Sequence, residues 1–227
     1  MRADRVRSAK EVHVKRLFIC VLVCLSLMPA QTPERVVALE GETHHVQGIA
    51  VVDGRILVTS VDRAAREGWL MEFDGAGKRV REVKIHDAAM YHPGGFDADG
   101  ESLWIPVAEY RPKSRSVIQR RSAASFELVS SFAVPDHIGA VAAGADRLFL
   151  ANWDARKIYE YGFVGKLIRE RANPTAYRFQ DLKMRYGVLV GAAPAGKGEQ
   201  GGGAVVWMDP ETLAVTGVRR VGRTDRG

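Results

Sequence analysis

The chain has no cysteine where a folded body could use one. Both of its cysteines, Cys20 and Cys24, sit in a single apolar run near the N-terminus. The body beyond residue 30 therefore has neither a disulfide framework nor a thiol nucleophile. Long apolar runs are scarce too. The stretch Leu17–Met28 is twelve residues without a charge, and a bilayer-spanning helix takes about 20. No segment keeps a helical period, no heptads recur, and no tract is of low complexity, so coiled coils and helical bundles are excluded. Sequence-local chemical signatures are also missing. No G-x-S-x-G elbow surrounds Ser60 or Ser102 and no H-E-x-x-H occurs. The Gly201–Gly203 run has neither the Lys nor the Ser/Thr of a P-loop and reads as a flexible loop.

Basic excess on the body is small. The formal net charge is +6, but residues 1–16 hold six basic residues against two acidic ones, leaving +2 for the remaining 211. Nucleic-acid binding calls for a basic patch on the folded part, and none is evident. The charge belongs to an N-terminal pattern: a basic region 1–16, an apolar region 17–28, then Pro29-Ala30-Gln31. That pattern reads as an export signal spanning 1–30, with an uncleaved anchor as the alternative. It places the body, from residue 34 on, in the periplasm or outside the cell, with no membrane contact beyond the signal or anchor. Val23 before Cys24 is too bulky for the usual lipoprotein signal.

What the chain does have is a repeated phrase. It reads first from His44 through Asp53-Gly54 to Asp62, two apolar runs around a two-residue turn signal. It returns from His92 to Glu109, from His137 to Asp154, and more loosely from Phe179 to Pro194. Gly48 to Gly95 is 47 residues, Gly95 to Ala140 is 45, and Ala140 to Asp181 is 41. Each phrase is followed by two further strand-like runs, giving units of about 44–85, 92–134, 137–171 and 177–221. Four short strands per unit of about 40 residues predict an all-β fold, a β-propeller with four blades of four antiparallel strands. Residues 34–39 read as one more strand, the outer strand of a last blade. The chain stops where a further blade would start, so it reads as a truncated piece of a six-bladed ring, with a closed four-blade ring as the alternative.

The stretches His44–Gly48, Tyr91-His92-Pro93-Gly94-Gly95, Trp104–Tyr110, His137–Val141 and Ala151–Ala155 resemble a family of uncharacterised bacterial exported propellers over nearly all of residues 36–227. In that family the chain continues past Gly227. No activity comes with the resemblance. More distantly, the pattern is similar to the six-bladed propellers that include gluconolactonases and strictosidine-synthase-like proteins. Those lactonases hold a divalent metal through Glu, Asn and Asp at the channel mouth, a ligand motif with no position-by-position match here.

Propeller geometry brings blade-entry loops, and the loops after each second strand, to one face. The entries carry His44, His45, Gln47, His92, His137, Gln180 and Asp181; the second strands end at Asp62, Glu109 and Asp154, with Asn152 two residues earlier. The expected ligand-binding set is His45, Gln47, Asp62, His92, Glu109, His137, Asn152, Asp154, Gln180 and Asp181. Imidazole with carboxylate suits a divalent metal, with His92, His137 and Glu109 as candidate ligands, or general-base chemistry on a lactone or ester. The same residues also hold loops by hydrogen bonds in many propellers. Tyr110, Arg111 and Trp153 are candidate ligand walls, Arg63 and Arg66 candidate anion contacts, and Trp69, Trp104 and Trp207 candidate core. The sequence thus points to a propeller binding a small polar or metal-bridged ligand at its channel mouth, in a non-catalytic binding or scaffold role. A divalent-metal-dependent hydrolase or lactonase is the alternative, and a protein-interaction platform the third reading. Cofactor identity and oligomeric state are not legible.

Overall fold

In a computed structural model, the protein is described over residues 35–194 and 202–221. The export-signal reading of residues 1–30, the loop glycines 196, 198 and 201, and the tail 222–227 lie outside them. Four antiparallel sheets are arranged as the blades of a propeller. Blade 1 is β1 (His45–Val52), β2 (Arg55–Asp62), β3 (Glu67–Phe73) and β4 (Arg79–Lys84). Blade 2 is β5 (Met90–Pro93), β6 (Asp97–Ala98), β7 (Ser102–Glu109), β8 (Ser116–Ser122) and β9 (Leu128–Val134). Blade 3 is β10 (Ile138–Ala143), β11 (Leu148–Asn152), β12 (Lys157–Tyr161) and β13 (Leu167–Ala172). Blade 4 is β14 (Asp181–Arg185), β15 (Val188–Pro194), β16 (Gly203–Met208) and β17 (Val215–Val221). One 3₁₀ turn, Trp153–Ala155, follows β11.

Local chemistry accounts for the hairpins. Asp53 and Gly54 both have positive φ (50° and 76°), the conformation of a type I′ turn, whose twist matches the flanking strands. Tyr186-Gly187 repeats it between β14 and β15 (52° and 76°). The innermost strand of blade 2 is broken into β5 and β6 at Pro93-Gly94-Gly95. Proline cannot donate to a ladder, and the glycines let the chain swing into blade 3. There the Gly95 N–H donates to the Gly139 carbonyl at 2.8 Å, and the Val141 N–H to the Gly95 carbonyl at 3.0 Å.

Two expectations are corrected. Residues 35–40 form no strand; instead the segment lies along the β3–β4 turn, with the Glu40 N–H donating to the Gly77 carbonyl at 2.8 Å. The described residues build four blades. The innermost strands of blades 1 and 4 meet, the Ile49 N–H reaching Asp181 Oδ2 at 3.4 Å. Of the expected core tryptophans only Trp104 is fully enclosed; Trp69 and Trp207 are partly exposed.

Apolar clusters fill three blade interfaces. Leu57, Leu70, Phe96 and Ile105 join blades 1 and 2. Trp104, Ile118, Leu148 and Leu150 join blades 2 and 3. Phe149, Ile158, Leu182 and Leu189 join blades 3 and 4. Each such enclosed side chain contributes about 1.5–3 kcal/mol. Among the described residues no such cluster spans blades 4 and 1, where Ile49 and Val51 stay exposed at 50% and 67%.

Opposite blades also touch at the axis. Asp97, fully buried on blade 2, accepts from the Ala143 N–H of blade 3 at 3.1 Å. It also accepts from the Met184 N–H and Arg185 guanidinium of blade 4 at 2.7 and 2.8 Å. Lys183 reaches across to the Phe96 carbonyl at 2.5 Å. The channel is therefore floored, and the space above is a cup rather than a pore.

Replacing Asp97 by Ala strands two buried amides and a guanidinium, and is expected to cost about 3–5 kcal/mol in chemical denaturation. A Cβ on Gly95 would lie 2.5 Å from Asp181 Oδ1 and 2.6 Å from the Gln180 carbonyl oxygen. Gly95→Ala is expected to cost about 3 kcal/mol or more, because backbone cannot give way as a flexible side chain can. A loss under about 1 kcal/mol in either variant would contradict this packing.

Candidate functional site

Above the floor, at the end where the innermost strands begin, lies an open cavity of about 270 Å³. Ligand sites run about 300–1,000 Å³, so this one suits a small molecule. Every blade lines it. Blade 1 supplies His45, Gln47 and Arg63; blade 2 supplies His92 and Tyr110; blade 3 supplies His137, Gly139, Asn152, Trp153 and Asp154; blade 4 supplies Phe179 and Gln180.

The histidines reach the cavity because each stands at the start of an innermost strand, where blades are closest. His92 and His137 are packed together, with ring centroids 5.3 Å apart. Tyr110 meets the His92 ring edge-on at 4.3 Å, and Trp153 meets His137 edge-on at 4.5 Å. Both imidazoles are buried, His92 at 9% and His137 at 1% exposure. Burial lowers the pKa of His92 to about 3, helped by the nearby positive ends of His137, His45 and Arg63. Burial also lowers that of His137, against the opposing pull of the Arg111 carbonyl and Asp136. Both rings are thus neutral at pH 7. His137 Nδ1 lies 2.9 Å from the Arg111 carbonyl oxygen. A carbonyl only accepts, so the proton is on Nδ1 and Nε2 is left as a bare acceptor. His92 Nδ1 is buried without a partner among the described residues, a costly state that marks the ring as held by its packing.

The repeat-equivalent carboxylates behave differently from the imidazoles. Asp62 does not line the cavity. It accepts the Ala64 and Ala65 N–H groups at 2.9 and 3.0 Å, closing the turn after β2, and faces His44 at 3.8 Å. The Ala65 bond is the main cause of its lowered pKa. Glu109 is likewise turned away. Arg111 and Arg115 donate to its two oxygens at 2.7 and 3.0 Å, and the Arg111 bond chiefly lowers its pKa. Asp181 pairs with Lys183 at 2.5 Å beneath the cavity. Only Asp154 of this group lines the cup, 3.8 Å from Arg178. Asn152 lines it too, while binding Asp136 and the Lys157 N–H.

Strand geometry explains the difference. Neighbouring residues at a strand end point to opposite sides, so beside Asp62 and Glu109 it is Arg63 and Tyr110 that turn inward. In blade 3 the 3₁₀ turn, with left-handed Asp154 and Ala155 (φ 61° and 50°), brings both Trp153 and Asp154 to the rim. Gly139 and Phe179 lie within the repeated phrases but carry no polar group to mark them as site residues. Arg63, Tyr110 and Trp153 did: each is adjacent to a repeated carboxylate.

The proposed metal triad does not assemble. Glu109 is occupied by two guanidinium groups, and among the described residues no three His, Cys, Asp or Glu side chains are grouped to hold an ion. The residues therefore do not fit the metal site expected from His92, His137 and Glu109.

The buried neutral imidazole has a consequence for stability. His92 binds its proton more weakly in the folded state (about 3) than in the unfolded chain (6.5). Its contribution is intact above the unfolded value and is lost as pH falls from about 6.5 toward 3. From this group alone, stability at pH 5 is expected to be roughly 2 kcal/mol below that at pH 7. His92→Gln should flatten that part of the curve in denaturant titrations across pH.

Comparison with known proteins bears on the fold. The structure is similar to a glutaminyl cyclase from Myxococcus xanthus, with a TM-score of 0.59, 14% identity, and coverage of 77% of this chain and 72% of that one. It is also similar to a protein of unknown function from Bacteroides caccae, with a TM-score of 0.53, 10% identity, and coverage of 80% and 62%. At such identities the likeness is one of fold. No curated protein matches in sequence. A family model does match, over residues 26–181, and the chain belongs to that family, DUF6454, a family of unknown function.

Proposed function

We propose that the protein is a ligand-binding propeller that takes a small polar molecule into the cup at its channel mouth, in a binding rather than catalytic role. One observation carries this reading. The residue at the entry of each innermost strand, His45, His92, His137 and Gln180, lines the same cavity. A purely structural use of these positions would leave each within its own blade. Aromatic walls, Tyr110, Trp153 and Phe179, stand beside polar groups that converge on one cavity from all four blades, a build suited to orienting a small polar molecule. The basic and then apolar pattern of residues 1–30 supports action outside the cytoplasm.

His137 favours a second reading, hydrolysis of a lactone or ester without a resident metal. Its Nδ1 proton is held by the Arg111 carbonyl, so Nε2 is free to take a proton from water. The fold is shared with a glutaminyl cyclase, but fold alone assigns no chemistry.

Thermal-shift measurements with a panel of small sugars, amino acids, hydroxy acids and lactones test the binding reading. At least one compound should stabilise the wild type. The His92→Ala/His137→Ala double variant should unfold cooperatively and lose that response. A response that survives in the double variant, or none from the whole panel, removes the proposal. Turnover of γ-butyrolactone that persists with chelator and disappears in His137→Ala would instead establish the hydrolytic reading.

A further inference from the structure

We infer that the ligand of this cup is a carboxylate on a flat, mainly apolar body, the carboxylate held by Arg63 and the body resting on Tyr110 and Trp153. This rests on the reading of the cup as a ligand site.

The argument starts from charge. Arg63 lines the cup, its guanidinium 5.0 Å from the centroid of the Tyr110 ring. Among the described residues it has no carboxylate within ion-pair distance. The nearby acids are already engaged: Asp62 by backbone amides and His44, and Glu109 by Arg111 and Arg115. Asp181 is engaged by Lys183, and Asp136 by Asn152 and Tyr159. Asp154 lines the cup as well, but on blade 3, where it faces Arg178. The His92 and His137 imidazoles add no positive charge at neutral pH, because they are packed against each other and against aromatic rings. Arg63 is thus a cation of the site with no carboxylate counter-ion among the described residues.

A guanidinium held over an aromatic ring keeps its planar fork of donors exposed, the geometry that matches a carboxylate in two parallel hydrogen bonds. Asp62 holds it there: by closing the β2–β3 turn on Ala64 and Ala65, it fixes the backbone on which Arg63 stands. Gln47 and Gln180 bring amide donors to the same cavity. Tyr110 and Trp153 give flat walls, and the cup has a floor rather than an exit. A flat apolar body therefore fits below an anion held at the mouth.

Benzoate and benzamide have nearly the same shape and differ in charge, so they isolate the carboxylate. Isothermal titration calorimetry of the full chain at low salt is expected to show benzoate binding about tenfold or more tighter than benzamide. Arg63→Gln should bring benzoate to the benzamide level, and Arg63→Lys should retain part of the preference. Arg66→Gln, whose guanidinium lies over Tyr91, should change neither. Equal binding of the two probes overturns the inference. So does benzoate affinity kept in Arg63→Gln, or no benzoate saturation by about 10 mM. Should neutral panel compounds bind in a His137-dependent way while Arg63→Gln has no effect, the cup stands as a ligand site and only the carboxylate assignment falls. Both Arg63 variants are checked for cooperative unfolding, and Arg63→Lys decides the matter if Arg63→Gln does not fold.

Discussion

Everything at the axis depends on one buried carboxylate and the close approach that surrounds it. Asp97 has no exposed surface, and a bare carboxylate in such a place would be strongly disfavoured. It is tolerated because four donors converge on it: its neighbour Ala98, the amides of Ala143 and Met184, and the Arg185 guanidinium. Those donors come from blades 2, 3 and 4, so satisfying the charge and gathering the blades are the same event. The approach is possible only because Gly94 and Gly95 present bare backbone to Gly139 and Asp181. Thr59 adds blade 1 by donating to the Gly94 carbonyl at 2.8 Å.

Farther from the axis, the blade interfaces use two different devices. Between blades 1 and 2, buried Glu72 binds Arg81 and Arg55, and both guanidiniums also reach toward the Ala123 carbonyl of the next blade. Between blades 3 and 4, Glu160 occupies the equivalent place on its third strand. It binds Arg147, Arg169 and Arg171, and Arg171 continues to the Pro210 and Glu211 carbonyls. Between blades 2 and 3 the contact is aromatic, with Trp104 stacked on Phe163. The charged clamps confer direction, since hydrogen bonds to particular carbonyls fix how one blade sits on the next; apolar packing alone is less particular.

The site inherits its character from this scaffold. A tight axis forces the entry residues together, and crowding keeps the His92 and His137 imidazoles neutral. The carboxylates at the ends of the second strands work one layer back. Asp62 shapes the turn that carries Arg63. Glu109 gathers Arg111, whose carbonyl sets the His137 tautomer. The cup therefore presents an acceptor nitrogen, amide donors, aromatic walls and one guanidinium.

The repeat was fully legible in the chain: period-two apolar runs, the Asp53-Gly54 turn and spacings of 41 to 47 residues determined four blades of four strands. The repeat also determined which residues start each innermost strand, and so His45, His92, His137 and Gln180 as a group. Three things were decided only in three dimensions. Which of two adjacent residues faces the cup depends on how the strand ends, and alternation turned Arg63 and Tyr110 inward in place of Asp62 and Glu109. Whether a carboxylate is available depends on which cations fold beside it, and Arg111 and Arg115 took Glu109. How many blades share the axis depends on how closely the innermost strands approach, and Gly95 beside Asp181 brought four of them together. A sequence pattern records neighbours along the chain; charge pairing and close contact are settled by neighbours across it.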